Sequence, residues 1–308
     1  MRAEAQATFD CFGSRCSVAV IGHGSAGTPD EAVAWARTQL LEWHDAFTRF
    51  DPQSELSRLN ADPRHAVPVS APMARFADLV VQAATITGGL VDATMLREIE
   101  LAGYTADLGR PLGLPDALAS APERAPASPN PASRWRLLRA DTVDNIVFRP
   151  PGLMLDSGGL AKGLFCDLLA QLLESHEAFA VDCAGDVRIG GRTGVQRTLQ
   201  VGSPFGDDIL HRIDTGAGAA ATSGIGRRSW TDSSGRPAHH LLDPSTGRPA
   251  YTGLVQATAF ASTAAFAEVC AKAALLSGPD GAAAWLPYGG VLVHENGSHE
   301  VVGQVVHA

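Results

Sequence analysis

At 308 residues the chain can hold one large or two ordinary domains around a substantial hydrophobic core. Its 45% hydrophobic and 19% charged residues describe a globular protein, not a disordered one, and the net charge of −9 argues against a nucleic-acid surface. A dianionic ligand would need locally placed cations, and lysine and arginine together number only 24, so each one beside a glycine turn is of interest.

In chain order, Phe9–Ile21 alternates and predicts a first strand ending at Gly22–Gly24. Thr28-Pro29-Asp30-Glu31 is a capping box with proline at the first helical position, and predicts a helix to about Phe47. Phe50-Asp51-Pro52 breaks it, and Ser54–Asn60 reads as a short helix or turn. A second long helix is expected over Pro72–Thr87, stopping at Gly88–Gly89. Leu114–Ser133 is rich in alanine, proline and serine and reads as a mobile surface loop. Trp135–Leu155 reads as paired strands with a turn near Asp141–Asp144. A strand at Ala178–Val181 leads into Asp182–Asp186, short strands follow to Ala221, and Thr263–Ser277 is an alanine-rich helix ended by Gly278. Strands and helices alternate without a strict βαβ rhythm, so the expected class is α+β, mixed sheets with flanking helices in one unit over 1–308.

The five cysteines, Cys11, Cys16, Cys166, Cys183 and Cys270, are scattered, with no CxxC, and read as buried free thiols in a reducing compartment. MRAEAQATFDCFGSRC has no apolar core of signal-peptide length, and no window reaches the length of a membrane helix; the expectation is a cytoplasmic protein with no transmembrane segment.

The most informative stretch is Leu153–Asp167, LMLDSGGLAKGLFCD. Leu153–Leu155 reads as a strand delivering Asp156, Gly158–Gly159 as a tight turn, and the helix behind it carries Lys162 in its first turns, with Leu164, Leu168 and Leu172 at helical spacing. Free N–H groups at a helix start, plus a lysine, suit a phosphate; the segment is neither a GxGxxG nor a Walker sequence, and a plain strand-to-helix connection is the alternative. Five further segments have the character of site loops: Leu90–Thr94 with Asp92; Asp182–Gly191 with Asp186; Ala221–Gly224 followed by Arg227 and Arg228; His239–Gly247; and the helix bearing Glu268 and Lys272.

Taken in order, FDPQSELSRLN, GGLVDAT, LDSGGLAKGLFCD, AGDVRIGG, ATSG with its arginines, HHLLDPSTGRP and AEVCAKAALLSG resemble the ApbE family, the FAD:protein FMN transferases, over roughly Phe9–Gly278. The resemblance implies a T-fold-like architecture with an FAD cleft between two lobes. It also implies FAD as substrate, Mg²⁺ as cofactor, and transfer of FMN to a threonine or serine of an acceptor flavoprotein with release of AMP. It assigns Asp156 and Lys162 to FAD, a carbonyl near Gly159 to the metal, Asp92 to the FAD cleft, and Leu242 to the flavin or its ribityl chain. Phe12 replaces the methionine of the family's Met-Gly-Thr and either stacks on FAD or fills core. His240 and Asp186 are the candidate catalytic residues. His240 is either a base poised near neutrality or a support for the Asp-Pro-x-Thr-Gly turn, where Asp243 reads as a turn-former; His239 reads as exposed. Arg227 and Arg228 either neutralise phosphate or sit solvated.

Departures from the family pattern fall at the last motif, where relatives ligate Mg²⁺ with an aspartate and, four residues later, a threonine. Here Glu268 and Lys272 stand in those places. Glu268 can still bind metal and Lys272 cannot, so any Mg²⁺ is expected to be weakly held. The two are either a surface helix pair or both lie at the diphosphate of FAD. Ala184-Gly185 stands where the family has a glycine pair. Two rival readings follow from the altered metal site: a protein that binds FAD without turning it over, and an FAD pyrophosphatase giving FMN and AMP.

Overall fold

The computed structural model describes residues 4–106 and 112–303; the remainder of the expected 1–308 unit lies outside the described residues. The alternation over Phe9–Ile21 belongs to two strands, not one. β1 (Glu4–Cys11) and β2 (Ser14–Ile21) pair antiparallel around Phe12-Gly13, which have φ of 55° and 69°. This is the mirror-image turn whose twist matches a hairpin. A phenylalanine in a left-handed conformation gives no glycine-asparagine signal, which is why the turn was hidden.

Numbering only the strands of the main sheet, β3 (Ala178–Cys183), β4 (Asp186–Gly190), β5 (Gly218–Gly224), β6 (Leu254–Ala261), β7 (Gly290–His294) and β8 (His299–Val302) continue it. The eight strands lie side by side in chain order, each antiparallel to its neighbour. Helices α1 (Pro29–Phe47), α2 (Glu55–Ala61), α3 (Ala71–Ile86), α4 (Leu96–Leu101), α5 (Leu114–Ala119), α6 (Ala161–Leu173) and α7 (Ala264–Ala282) complete the α+β fold. Thr28 and Glu31 form the expected capping box on α1, and Ser54 caps α2. α1, α6 and α7 pack on the sheet. A hairpin of Arg197–Gly202 and Ile209–Thr215 sets Leu199, Val201 and Ile213 against Ala220, Phe260 and Val291. With cover on both sides, every residue of β6 is buried.

The crossing of α6 and α7 is the joint that builds the site. A Cβ on Gly163 would come within 2.7 Å of the Ala264 carbonyl oxygen, so only glycine allows this approach. Asp167 then accepts from the N–H groups of Ala264 and Ala265, both at 2.9 Å, and Glu268 of α7 accepts from the Gly163 N–H at 3.0 Å. Each helix thus lends a carboxylate to the other's free N–H groups.

Three expectations change. Leu153–Leu155 joins no sheet, because the Asn60 carboxamide takes both main-chain groups of Leu155, at 2.8 and 2.9 Å. Leu114–Ser133 opens with α5, and its later part is tied by main-chain bonds from Ala125 to Tyr251 and from Ala127 to Leu276. Within Trp135–Leu155 only Arg139–Asp141 and Ile146–Phe148 are strands, joined by Ala66–Pro68. On α6, Leu164 and Leu168 are buried as expected, whereas Leu172 is exposed. α7 is interrupted where the sequence ends it, at Gly278 with φ 71°.

Candidate functional site

Two cavities open at the start of α6 and share Ile99, Asp156, Gly158 and His240. The larger, about 840 Å³, is lined by Phe12, Arg15, Arg49, Lys162, Arg227 and Arg228 among others. The smaller is mostly apolar, lined by Leu90, Val91, Met95, Leu242 and Leu276, with Asp92, Gly159 and Lys272 at its polar margin. Every residue singled out for cofactor binding therefore borders one cavity or both.

Asp156 is fixed from two sides. Its N–H donates to the Ala93 carbonyl at 2.8 Å, and its carboxylate lies 3.7 Å from the Arg49 guanidinium. Arg49 is itself held between the rings of Phe50 and Tyr104, each 4.4 Å away, and donates to the Tyr104 carbonyl at 2.6 Å. Sequence reading missed Arg49 and Tyr104, because a lone arginine after a helix and a tyrosine some fifty residues later carry no spacing signal. Arg228 reaches the carbonyls of Gly158 at 3.4 Å and Phe12 at 3.3 Å, joining the helix-start turn to the first hairpin. Phe12 packs on the core, stacking on Phe165 at 5.4 Å and meeting His44 edge-on at 5.3 Å, and it also lines the larger cavity.

Behind this turn lies a row of alternating charges. Lys162 contacts Asp186 closely and lies 3.6 Å from Glu268, which lies 3.2 Å from Lys272. The side chains of Asp186 and Glu268 are 1% and 2% exposed, so the surface-pair reading of Glu268 and Lys272 is overturned: the pair is buried against α6. Burial pushes Asp186 up to about 6 even with the Lys162 ammonium against it. Burial works against the charge on Lys162, but Asp186 and Glu268 outweigh it and hold the ammonium above its ordinary value. Glu268 is lowered: burial opposes its charge, and Lys272 and Lys162 overcome that. Asp186 is presented by the Ala184-Gly185 turn, with φ of 60° and 100°. Alanine there carries a left-handed strain of roughly 1–2 kcal/mol that the family's glycine would not.

The remaining residues divide between lining and scaffolding. Asp92 accepts from the Thr94 N–H and hydroxyl at 2.8 and 2.6 Å and closely from the Ser133 hydroxyl, so its carboxylate shapes the loop at the cavity wall. Asp243 is a turn-former, accepting from Ser128, Ser245 and Thr246. His239 is buried, not exposed; it packs edge-on against Tyr251 at 4.7 Å, and burial lowers it to about 3. His240 faces both cavities, with Nδ1 3.4 Å from the Arg228 carbonyl. Burial, with the charges of Arg228 and Lys272, lowers it well below its ordinary value, so it is a neutral imidazole at neutral pH and not one poised to titrate there.

Fold and site together define a cleft at a glycine turn, with a large chamber lined by four arginines and Lys162 and a small, mostly apolar one beside it. The ApbE family model matches residues 12–292, and the chain belongs to the ApbE family. It is 25% identical over 248 residues to a FAD:protein FMN transferase of Vibrio cholerae, covering 78% of this chain and 72% of that protein. A Klebsiella pneumoniae protein of the same name is 27% identical over 264 residues, covering 82% and 74%. Among solved structures, an ApbE protein of Thermotoga maritima matches with a TM-score of 0.77 at 26% identity, covering 97% of both chains. The flavin transferase ApbE of Vibrio cholerae matches with a TM-score of 0.72 at 18% identity over 99% of both, a likeness of fold. No described helix is long and apolar enough to cross a membrane.

Proposed function

We propose that this chain transfers FMN from FAD to a threonine or serine hydroxyl of an acceptor protein, releasing AMP. The observation that carries the proposal is the meeting of two cavities at one glycine turn, with Lys162 on one side and Lys272 on the other. FAD has two ring systems joined by a diphosphate. The larger cavity, about 840 Å³, has room for the ring systems, and its margin with the smaller one at Asp156, Gly158 and His240 suits the diphosphate.

In the transfer, the acceptor Oγ forms a bond to the phosphorus on the FMN side. The bridging P–O bond breaks, and AMP leaves with its electron pair. Such a step needs alignment and charge neutralisation more than covalent help from the protein. Lys162 and Arg228 line the larger cavity beside the glycine turn, Arg228 donating to the Gly158 carbonyl. His240 suits the role of base: a proton on Nδ1 satisfies the Arg228 carbonyl and leaves the Nε2 lone pair to take the hydroxyl proton. Arrival of the diphosphate offsets the charges of Arg228 and Lys272, raising the basicity of the imidazole when it is needed. Asp186 acts through Lys162, holding the ammonium at the helix start.

The resemblance also implies magnesium, on a carbonyl near Gly159 and on Glu268, and the side chains present do not complete a ligand set for it. Glu268 has Oε1 against two ammonium groups and Oε2 on the Gly163 N–H. Asp186 has one buried oxygen without a partner, a single ligand where an octahedral ion needs several. Among the described residues no cluster of three acidic, histidine or cysteine side chains is arranged to hold a metal. A cytoplasmic location, supported by five buried free cysteines, is part of the proposal and is tested by fractionation.

Incubating the protein with FAD and a threonine-bearing acceptor separates the readings. A labelled acceptor is expected. Stable bound FAD without labelling marks a flavin holder, and free FMN with AMP marks a pyrophosphatase.

A further inference from the structure

We infer that Lys272 is a built-in cation for the diphosphate, so that the cleft binds FAD without a divalent metal. The inference rests on the FAD reading above and deepens it. Lys272 lies over the glycine turn: its Cε is 3.4 Å from where a Cβ on Gly159 would sit, and it borders the smaller cavity. It is also held there, because its ammonium lies 3.2 Å from Glu268 Oε1, whose other oxygen is anchored on the Gly163 N–H. Lys162 approaches the same Glu268 oxygen from the other side, at 3.6 Å.

The local charges show what the arrangement is for. Around the turn Lys162, Lys272, Arg228 and Arg49 supply four positive charges against the three carboxylates Asp156, Asp186 and Glu268. A buried row that ended on its own carboxylates would be complete; this one has a positive charge left over at the mouth of the glycine turn, and a diphosphate brings two negative ones. An ammonium offers three donors on a flexible stem and needs no octahedral shell, so it can reach a phosphate oxygen without surrendering Glu268. Glu268 is in turn too occupied to serve as a metal ligand.

The test is equilibrium binding of FAD, and of ADP as a second diphosphate probe, in EDTA and in excess Mg²⁺. For the unaltered protein the affinities in the two conditions are expected to agree within about twofold. Lys272→Gln should weaken both probes in EDTA by roughly 10–100-fold, and Lys272→Arg should keep most of the affinity. Titration of the unaltered protein with Mn²⁺, read by its paramagnetic resonance spectrum with and without ADP, needs no variant and should show no stoichiometric tight site. Loss of FAD and ADP binding in EDTA, a tight Mn²⁺ site, or unchanged affinity in a folded Lys272→Gln protein each overturns the inference. If binding fails in EDTA while an acceptor is labelled in Mg²⁺, the inference falls and the transferase reading stands. Metal-free binding with no labelling in any condition does the reverse, and binding of neither probe under any condition overturns both.

Discussion

Lys162 is the cation whose removal the structure constrains most tightly. Lys162→Met leaves Glu268 with Lys272 and the Gly163 N–H, but leaves the Asp186 carboxylate, 1% exposed, with no hydrogen-bond partner among the described residues. Breaking a buried pair from one side costs about 3–5 kcal/mol while the remaining group stays charged. Asp186 escapes part of that cost by taking up a proton, and this makes the effect depend on pH. In the native protein its carboxyl, at about 6, lies above the 3.8 of the unfolded chain, so the folded state holds the extra proton between those values and stability falls as pH rises through them. Without Lys162 the folded value moves higher, and the falling limb extends upward past pH 6. Between pH 6 and pH 7.5 the variant therefore loses about 2 kcal/mol that the native protein does not, at about 1.4 kcal/mol per unit. Urea midpoints at pH 5 and pH 7.5, at constant slope, measure it. Lys162→Met should be the more destabilising at pH 7.5, and adding Asp186→Asn should remove the pH dependence and recover stability. Equal destabilisation at both pH values, or no recovery in the double variant, would refute the reasoning.

His240→Asn should lower turnover by about 10²–10⁴-fold with FAD affinity nearly unchanged, as steady-state kinetics and calorimetry would register; joint loss of binding and turnover would assign His240 to shaping the turn at Asp243. His239, at about 3 in the folded protein against 6.5 when exposed, leaves the unfolded chain holding more protons in that window, so stability falls as pH drops from 6.5 toward 3; melting temperatures of His239→Phe should fall less steeply there, and identical slopes would contradict the assignment. Asn60→Ala orphans both main-chain groups of Leu155 and should cost roughly 1–3 kcal/mol in urea unfolding while weakening FAD through Asp156; an unchanged midpoint would remove Asn60 from the support of the site.

Much of this was legible in the sequence because it is local. The capping box at Thr28, the glycine stop after α3, the start of α6 at Lys162 and the break at Gly278 each depend on a few consecutive residues. What stayed hidden depends on distant partners. Leu153–Leu155 has the composition of a strand, yet a single carboxamide from α2 takes the place of a neighbouring strand. Glu268 and Lys272 have the spacing of a surface pair, and only the glycine crossing of α6 and α7 shows that they are buried. Gly163 and Asp167 were visible in the motif but had no assigned purpose until their partners on α7 were known. His239 and His240 are adjacent and chemically identical, and the strand pairing that turns one inward and the other toward the cavities lies in Ser229–Thr231.

Flavinylation of an acceptor is the activity on which the whole account depends, and intact-protein mass spectrometry measures it directly. The protein is incubated with FAD and a folded acceptor bearing a candidate threonine, in parallel with Lys162→Met and with an acceptor whose threonine is changed to alanine. The acceptor is expected to gain one FMN less a water, AMP to appear in equal amount, and both controls to stay unlabelled. FAD that remains bound and intact, or FMN released to solution with the acceptor's mass unchanged, would contradict it.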